Sequence, residues 1–143
     1  MRHRLAPAVL LALLVLTACT ANRPIEEVRD GDRSYTVVHP ARQAEPAPTI
    51  IALHGGGGNA NRVQRYSRLD DLVRGEGIVV VYPESVAGHW NDGRPIDLVT
   101  GIEDATFLID LLDDLVEEGL TDPQQVFVLG ASNGGMMALR MVC

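Results

Sequence analysis

The sequence predicts an α/β fold with a mostly parallel sheet covered by helices on both faces, and three observations carry that prediction. Apolar runs at 49–53, 77–82 and 126–129 lack polar alternation, as strands buried on both faces require. Two longer segments with helical spacing, about 60–74 and 100–118, separate these runs. Strand and helix therefore alternate, which builds parallel crossovers rather than hairpins.

Composition bounds the rest. The 143 residues suffice for one small domain, and an apolar fraction of 46% is globular. All 12 basic residues are arginine, and against 19 acids they leave a net charge of −7, which argues against a nucleic-acid partner. The charge is spread along the chain, as on a soluble, self-repelling surface.

At the N-terminus, Arg2, His3 and Arg4 precede an apolar stretch from Leu5 to Leu16, too short to span a bilayer but suited to a signal peptide. It ends in Leu16-Thr17-Ala18-Cys19, which resembles the bacterial lipoprotein box. The expectation is a signal peptide over 1–18 and a lipidated tether over 19–30, with Cys19 carrying a diacylglyceryl group. The product would be exported and either membrane-anchored or extracellular. Ordinary secretion with cleavage near Ala18 is the alternative. With Cys19 committed to lipid, Cys143 has no internal disulfide partner, a hint that one lay further along.

In chain order, Arg33 to His39 alternates and is rich in β-formers, so it predicts an outer strand. Ala41 to Pro48 is a surface loop, and Thr49 to Leu53 the first buried strand. Asn59 or Asn61 caps a helix running to about Arg74, with Val63, Tyr66, Leu69 and Val73 on one face. Gly77 to Tyr82 is a second buried strand. Glu84 to Pro95 has no periodicity and predicts a loop at the site end of the sheet. Within it, Trp90 either lines a cleft or packs the loop down. Thr100 and Glu103 suggest a capping box for a helix to about Glu118. Its apolar stripe is Ile102, Ala105, Leu108, Ile109, Leu112, Leu115 and Val116, with Asp104 among the acids of a solvated face.

Two glycine motifs carry the chemistry. Gly130-Ala131-Ser132-Asn133-Gly134-Gly135 lies between a strand-like run and good helix formers, the context of a nucleophile elbow rather than of a bare turn. A tight turn there lifts the Ser132 hydroxyl clear of the sheet at a helix N-terminus, and it demands little bulk two residues to either side. His54-Gly55-Gly56-Gly57-Gly58-Asn59 follows a buried strand and leaves backbone N–H groups bare. A phosphate loop is disfavoured, because the chain has no lysine and lacks the dinucleotide-binding spacing.

Together these pieces resemble the α/β-hydrolase fold, a three-layer sandwich. More narrowly, they resemble the secreted polyhydroxybutyrate depolymerase and feruloyl esterase family with its lipoprotein members. The matching residues are Leu53 to Gly58, Tyr82-Pro83, Trp90-Asn91-Asp92-Gly93-Arg94, Glu103-Asp104 and Gly130 to Met137. The resemblance implies Ser132 as nucleophile. It also implies an oxyanion hole from Gly56 or Gly57 with the N–H of Asn133, an ester substrate (a polyester or an aromatic ester), and no cofactor or metal. It implies an acid and a histidine after the serine, yet the eleven residues following Ser132 include no Asp, Glu or His. Of the earlier histidines, His54 belongs to the oxyanion loop and His89 to the tryptophan loop, where it is a weak candidate base. Residues 31–143 are therefore expected to be the N-terminal half of a hydrolase domain, with the C-terminal strands and triad partners missing. Alone, it is expected to be inactive and to leave the apolar edge at Val126 to Leu129 exposed. The competing expectations are a non-catalytic, degenerate surface lipoprotein and a serine peptidase on the same fold.

Overall fold

The computed structural model describes residues 25–143, so the signal segment 1–18 and Cys19 lie outside it. Five strands form one sheet: β1 (Ile25–Asp30), β2 (Arg33–Val38), β3 (Ala47–Leu53), β4 (Val79–Pro83) and β5 (Thr121–Gly130). Their order is β1-β2-β4-β3-β5. The β1/β2 and β2/β4 pairs are antiparallel, whereas β4/β3 and β3/β5 are parallel. The described residues also hold four α-helices, α1 (Ala60–Ser67), α2 (Asp70–Glu76), α3 (Asp104–Glu117) and α4 (Asn133–Val142), and two short 3-10 turns at Val86–Gly88 and Asp97–Val99.

The period-two alternation of the central strands sorts the core into two layers. Val79 and Val81 join Ile51, Leu53, Leu108, Leu111, Leu115 and Met137 beneath α3 and α4. Val80 and Tyr82 join Ala52, Val63 and Val73 beneath α1 and α2. Every residue of β4 is buried, which is why that run shows no polar alternation. The result is the three-layer sandwich expected from sequence.

Several elements differ from the sequence expectation. Ile25–Asp30, read as tether, pairs along its whole length with β2, from Ile25 opposite Val38 to Asp30 opposite Arg33. The single helix expected over 60–74 breaks at Arg68, which takes a left-handed conformation (φ 58°), and α2 continues to Glu76 before Gly77. Asp70, at the start of α2, accepts a 2.7 Å hydrogen bond from the Tyr82 hydroxyl, which fixes the second helix to β4. Tyr66, placed on the buried face from sequence, is 58% exposed. The Thr100–Glu103 capping box does not form: Glu103 makes no side-chain cap, and Thr100 Oγ1 donates to Ile96 O.

The buried stripe of α3 is also rotated from the expected one. It runs through Asp104, Phe107, Leu108, Leu111 and Leu115, while Ile109 is exposed. Finally, β5 pairs only with β3 among the described residues. Val126 and Val128 pack on the core, but Phe127 and Leu129 point from the opposite face, and no helix covers them. Among the described residues, no helix is long and apolar enough to cross a membrane.

Candidate active site

Strand β5 ends at Gly130 and α4 begins at Asn133, so the chain reverses within two residues. Ser132 takes φ 52° and ψ −119°, a conformation that costs a non-glycine residue about 1–3 kcal/mol. The turn is tight because two glycines permit it. A Cβ on Gly130 would overlap the Gly134 carbonyl group and lie 2.8 Å from Gly135 N. One on Gly134 would overlap His54 O and lie 2.7 Å from Leu53 O. The spacing of the G-x-S-x-G motif is therefore a packing requirement between β3, β5 and α4.

The glycine loop after β3 lies beside this turn. A Cβ on Gly55 would sit 3.2 Å from Ala131 O and 3.7 Å from Ser132 Cβ. Of the two glycines named as oxyanion donors, Gly57 spends its N–H on Gly88 O at 2.8 Å. Gly58 donates to Gly55 O, which closes the loop into a turn. The N–H groups of Gly56 and Asn133 have no acceptor among the described residues. Asn133 also opens α4, where the helix dipole favours negative charge. Of the candidate donors, the N–H of Gly57 is therefore engaged, while those of Gly56 and Asn133 are free among the described residues.

A buried scaffold holds the loop. His54 is 1% exposed; its Nδ1 lies 2.8 Å from Gly55 O, and Ser85 N–H donates to its Nε2 at 3.3 Å. Glu84 approaches the same Nε2 at 3.3 Å and accepts from Ala60 N–H at 2.9 Å. Burial pushes the Glu84 carboxyl up, but His54 and the Ala60 N–H more than offset it, so it lies below its usual range. The backbone carbonyl of His54 accepts from Trp90 Nε1 at 2.9 Å. Trp90 is fully buried, so it packs the loop down instead of lining a cleft.

The Asn133 side chain, as distinct from its N–H, has a role that sequence reasoning missed. Its Oδ1 accepts from Trp90 N–H at 2.8 Å, and its Nδ2 donates to Trp90 O at 3.0 Å and Asp92 Oδ2 at 2.8 Å. The residue after the candidate nucleophile therefore clamps the tryptophan loop. Asp104 was missed as well. It is fully buried, accepting from Arg33 Nη2 and from Asn91 N–H, each at 2.6 Å. The signal was present, since Asp104 shares a helical stripe with Leu108, Leu111 and Leu115.

His89 does not meet the serine. A Cβ on Gly56 would lie 2.7 Å from His89 Nε2, so the ring rests against the oxyanion loop. Its Nδ1 is buried without a partner among the described residues. No imidazole there is hydrogen-bonded to Ser132 Oγ, and no group of residues there could hold a metal ion.

Comparison with known proteins agrees with this fold. The profile of the prolyl oligopeptidase family (Peptidase_S9) matches residues 71–143, half of the chain, including α3, β5 and the serine turn. The chain belongs to the prolyl oligopeptidase family. Its fold is that of the α/β-hydrolase superfamily. NocK of Nocardia uniformis subsp. tsuyamanensis is 36% identical over 99 residues, covering 68% of this chain and 29% of that protein. Feruloyl esterase B of Neurospora crassa is 28% identical over 140 residues, covering 92% of this chain and 48% of that protein. Among solved structures, acetyl xylan esterase from Aspergillus awamori superposes with a TM-score of 0.68 at 21% identity, covering 82% of this chain and 46% of that one. The chain thus spans less than half the length of these relatives.

Proposed function

We propose that the protein is a serine carboxylic-ester hydrolase with Ser132 as nucleophile. The observation that carries this reading is the strained backbone of Ser132 at the start of α4, with its Cβ beside Gly55 of the glycine loop. Strain at a non-glycine residue persists only where its surroundings enforce it, and here two close-packed glycines do so. In the proposed reaction Ser132 Oγ attacks the ester carbonyl and loses its proton to a base. The tetrahedral oxygen takes hydrogen bonds from Gly56 and Asn133 N–H, and the alcohol departs with a proton. Water then attacks the acyl-enzyme, and the acid leaves.

The base and its carboxylate partner are placed in this reading beyond residue 143. The absence of an imidazole on Ser132 among the described residues, and the greater length of the relatives, support that placement. The finer assignment is to the polyhydroxybutyrate depolymerase and feruloyl esterase type, supported by the Trp90 to Arg94 segment and by the name of the Neurospora relative. Treating the full gene product with a fluorophosphonate probe tests the enzymatic reading. Stoichiometric labelling, lost in Ser132→Ala, is expected. A folded protein that takes no label would be a degenerate, non-catalytic one.

A serine peptidase is the second reading, favoured by the family match over 71–143. It predicts turnover of a peptide anilide as well as of the matched ester, whereas the first predicts turnover of the ester alone. Anchoring through Cys19 is a further part of the proposal, supported by Leu16-Thr17-Ala18-Cys19. Cys19→Ala is expected to move the protein from the membrane to the soluble fraction and to remove the lipid mass. An unchanged distribution and mass would overturn it.

A further inference from the structure

Beside the serine turn lies a recess of about 260 Å³. Gly55, Gly56 and Ala131 form one wall, and Arg62, Val63 and Tyr66 of α1 form the other. Since Gly55 packs against Ala131 and Ser132, the recess opens directly beside the candidate nucleophile. Arg62 and Tyr66 are four residues apart on α1, so both project from the same side. The ester mechanism above uses neither.

Most described arginines outside α1 are engaged, Arg42 being the exception. Arg33, Arg68, Arg74 and Arg94 are paired with aspartates, and Arg140 donates to Asn91 O. The Arg62 guanidinium has no hydrogen-bond or ion-pair partner among the described residues. Helix α1 carries Arg62 and Arg65 and no acid, in a chain of net charge −7. The two arginines of α1 thus lie beside the candidate serine turn, and the carboxylate of Glu84, bonded to Ala60 N–H and near His54, already faces other groups.

We propose that this recess is a subsite for a carboxylate carried by the substrate, with Arg62 as the specificity-determining residue. This rests on Ser132 being the nucleophile of an ester hydrolase. The guanidinium offers a planar fork that matches a carboxylate with two parallel hydrogen bonds. Tyr66 supplies an aromatic flank for the carbons linking that carboxylate to the ester. The substrate class is an ester bearing a carboxylate a few bonds from the scissile carbonyl.

The test compares 4-nitrophenyl hemiglutarate with 4-nitrophenyl butyrate on the full gene product. Arg62→Gln is expected to lower kcat/KM for the hemiglutarate about tenfold, chiefly through KM, as loss of a charged hydrogen bond would. Butyrate turnover is expected to stay within about twofold, and Arg62→Lys to restore part of the preference, more so at low salt. Equal effects on both esters, or none, would overturn the subsite. A binding measurement separates this from the reading of Ser132. Glutarate is expected to bind the Ser132→Ala protein and to lose about tenfold in affinity when Arg62→Gln is added. No glutarate binding by the folded protein overturns the subsite even where Ser132 is labelled. Binding that depends on Arg62 without turnover of either ester upholds the subsite and counts against the esterase.

Discussion

At Asp92 and Asn133, single side chains join the two halves of the site. The Asn133 side chain bonds both backbone groups of Trp90 and the carboxylate of Asp92, while its backbone N–H has no acceptor among the described residues. Arg94, reaching Asp92 through bonds of 2.5 to 3.1 Å, holds that carboxyl down to about 2, with Asn133 adding to the effect. A depressed carboxylate stabilises the fold above its unfolded value, near 3.9, and that contribution disappears as pH falls through the folded value. Stability should therefore fall between about pH 4 and pH 2. Asp92→Asn should flatten that part of the profile, as measured by chemical denaturation at a series of pH values. A variant with the wild-type slope would show that other carboxylates carry the acid sensitivity.

At the scale of elements, α3 is held less by its N-terminal cap than by a buried ion pair. Asp104 begins the helix, bonds Arg33 from β2 and Asn91 from the tryptophan loop, and so ties three elements together. Arg33 in turn lies 3.9 Å over the Phe107 ring and donates to Glu84 O. Removing one partner of a buried pair leaves a charge without compensation. Asp104→Ala is expected to cost about 3–5 kcal/mol in urea denaturation. Asn91 and Trp90 would then lose an anchor, so the candidate oxyanion loop should gain hydrogen exchange as well. A loss under about 1 kcal/mol, of the size usual for an exposed pair, would contradict this.

For the molecule as a whole, the two core layers are unequally covered. Among the described residues, the sheet is closed by α1 and α2 over β3 and β4, but Phe127 (57% exposed) and Leu129 (40%) stand bare on β5. A β-edge with adjacent apolar side chains is a template for strand addition and association. Phe127→Thr keeps the β-propensity of the position and removes the aromatic surface. It should lower concentration-dependent association in sedimentation velocity while leaving the circular dichroism spectrum unchanged. Association equal to that of the wild type would show that this face is not the sticky one.

The strand-helix alternation, the buried character of β3 and β4, and the placement of Ser132 on a strand-to-helix turn were all legible from spacing alone. Each depends on local periodicity or on steric demands within six residues, such as the glycines flanking Ser132. The engagement of the Gly57 N–H, the burial of Asp104, the break at Arg68 and the pairing of Ile25–Asp30 were not legible. Each depends on a partner distant in sequence: Gly88 for Gly57, Arg33 and Asn91 for Asp104, Tyr82 for the helix after Arg68, and β2 for β1. The amino-acid order thus settled the fold class and the strand-to-helix turn at Ser132, because periodicity and glycine spacing act along the chain. Folding in three dimensions settled which glycine N–H groups are engaged and which arginines are paired, because hydrogen bonds and ion pairs consume groups that look equivalent in one dimension.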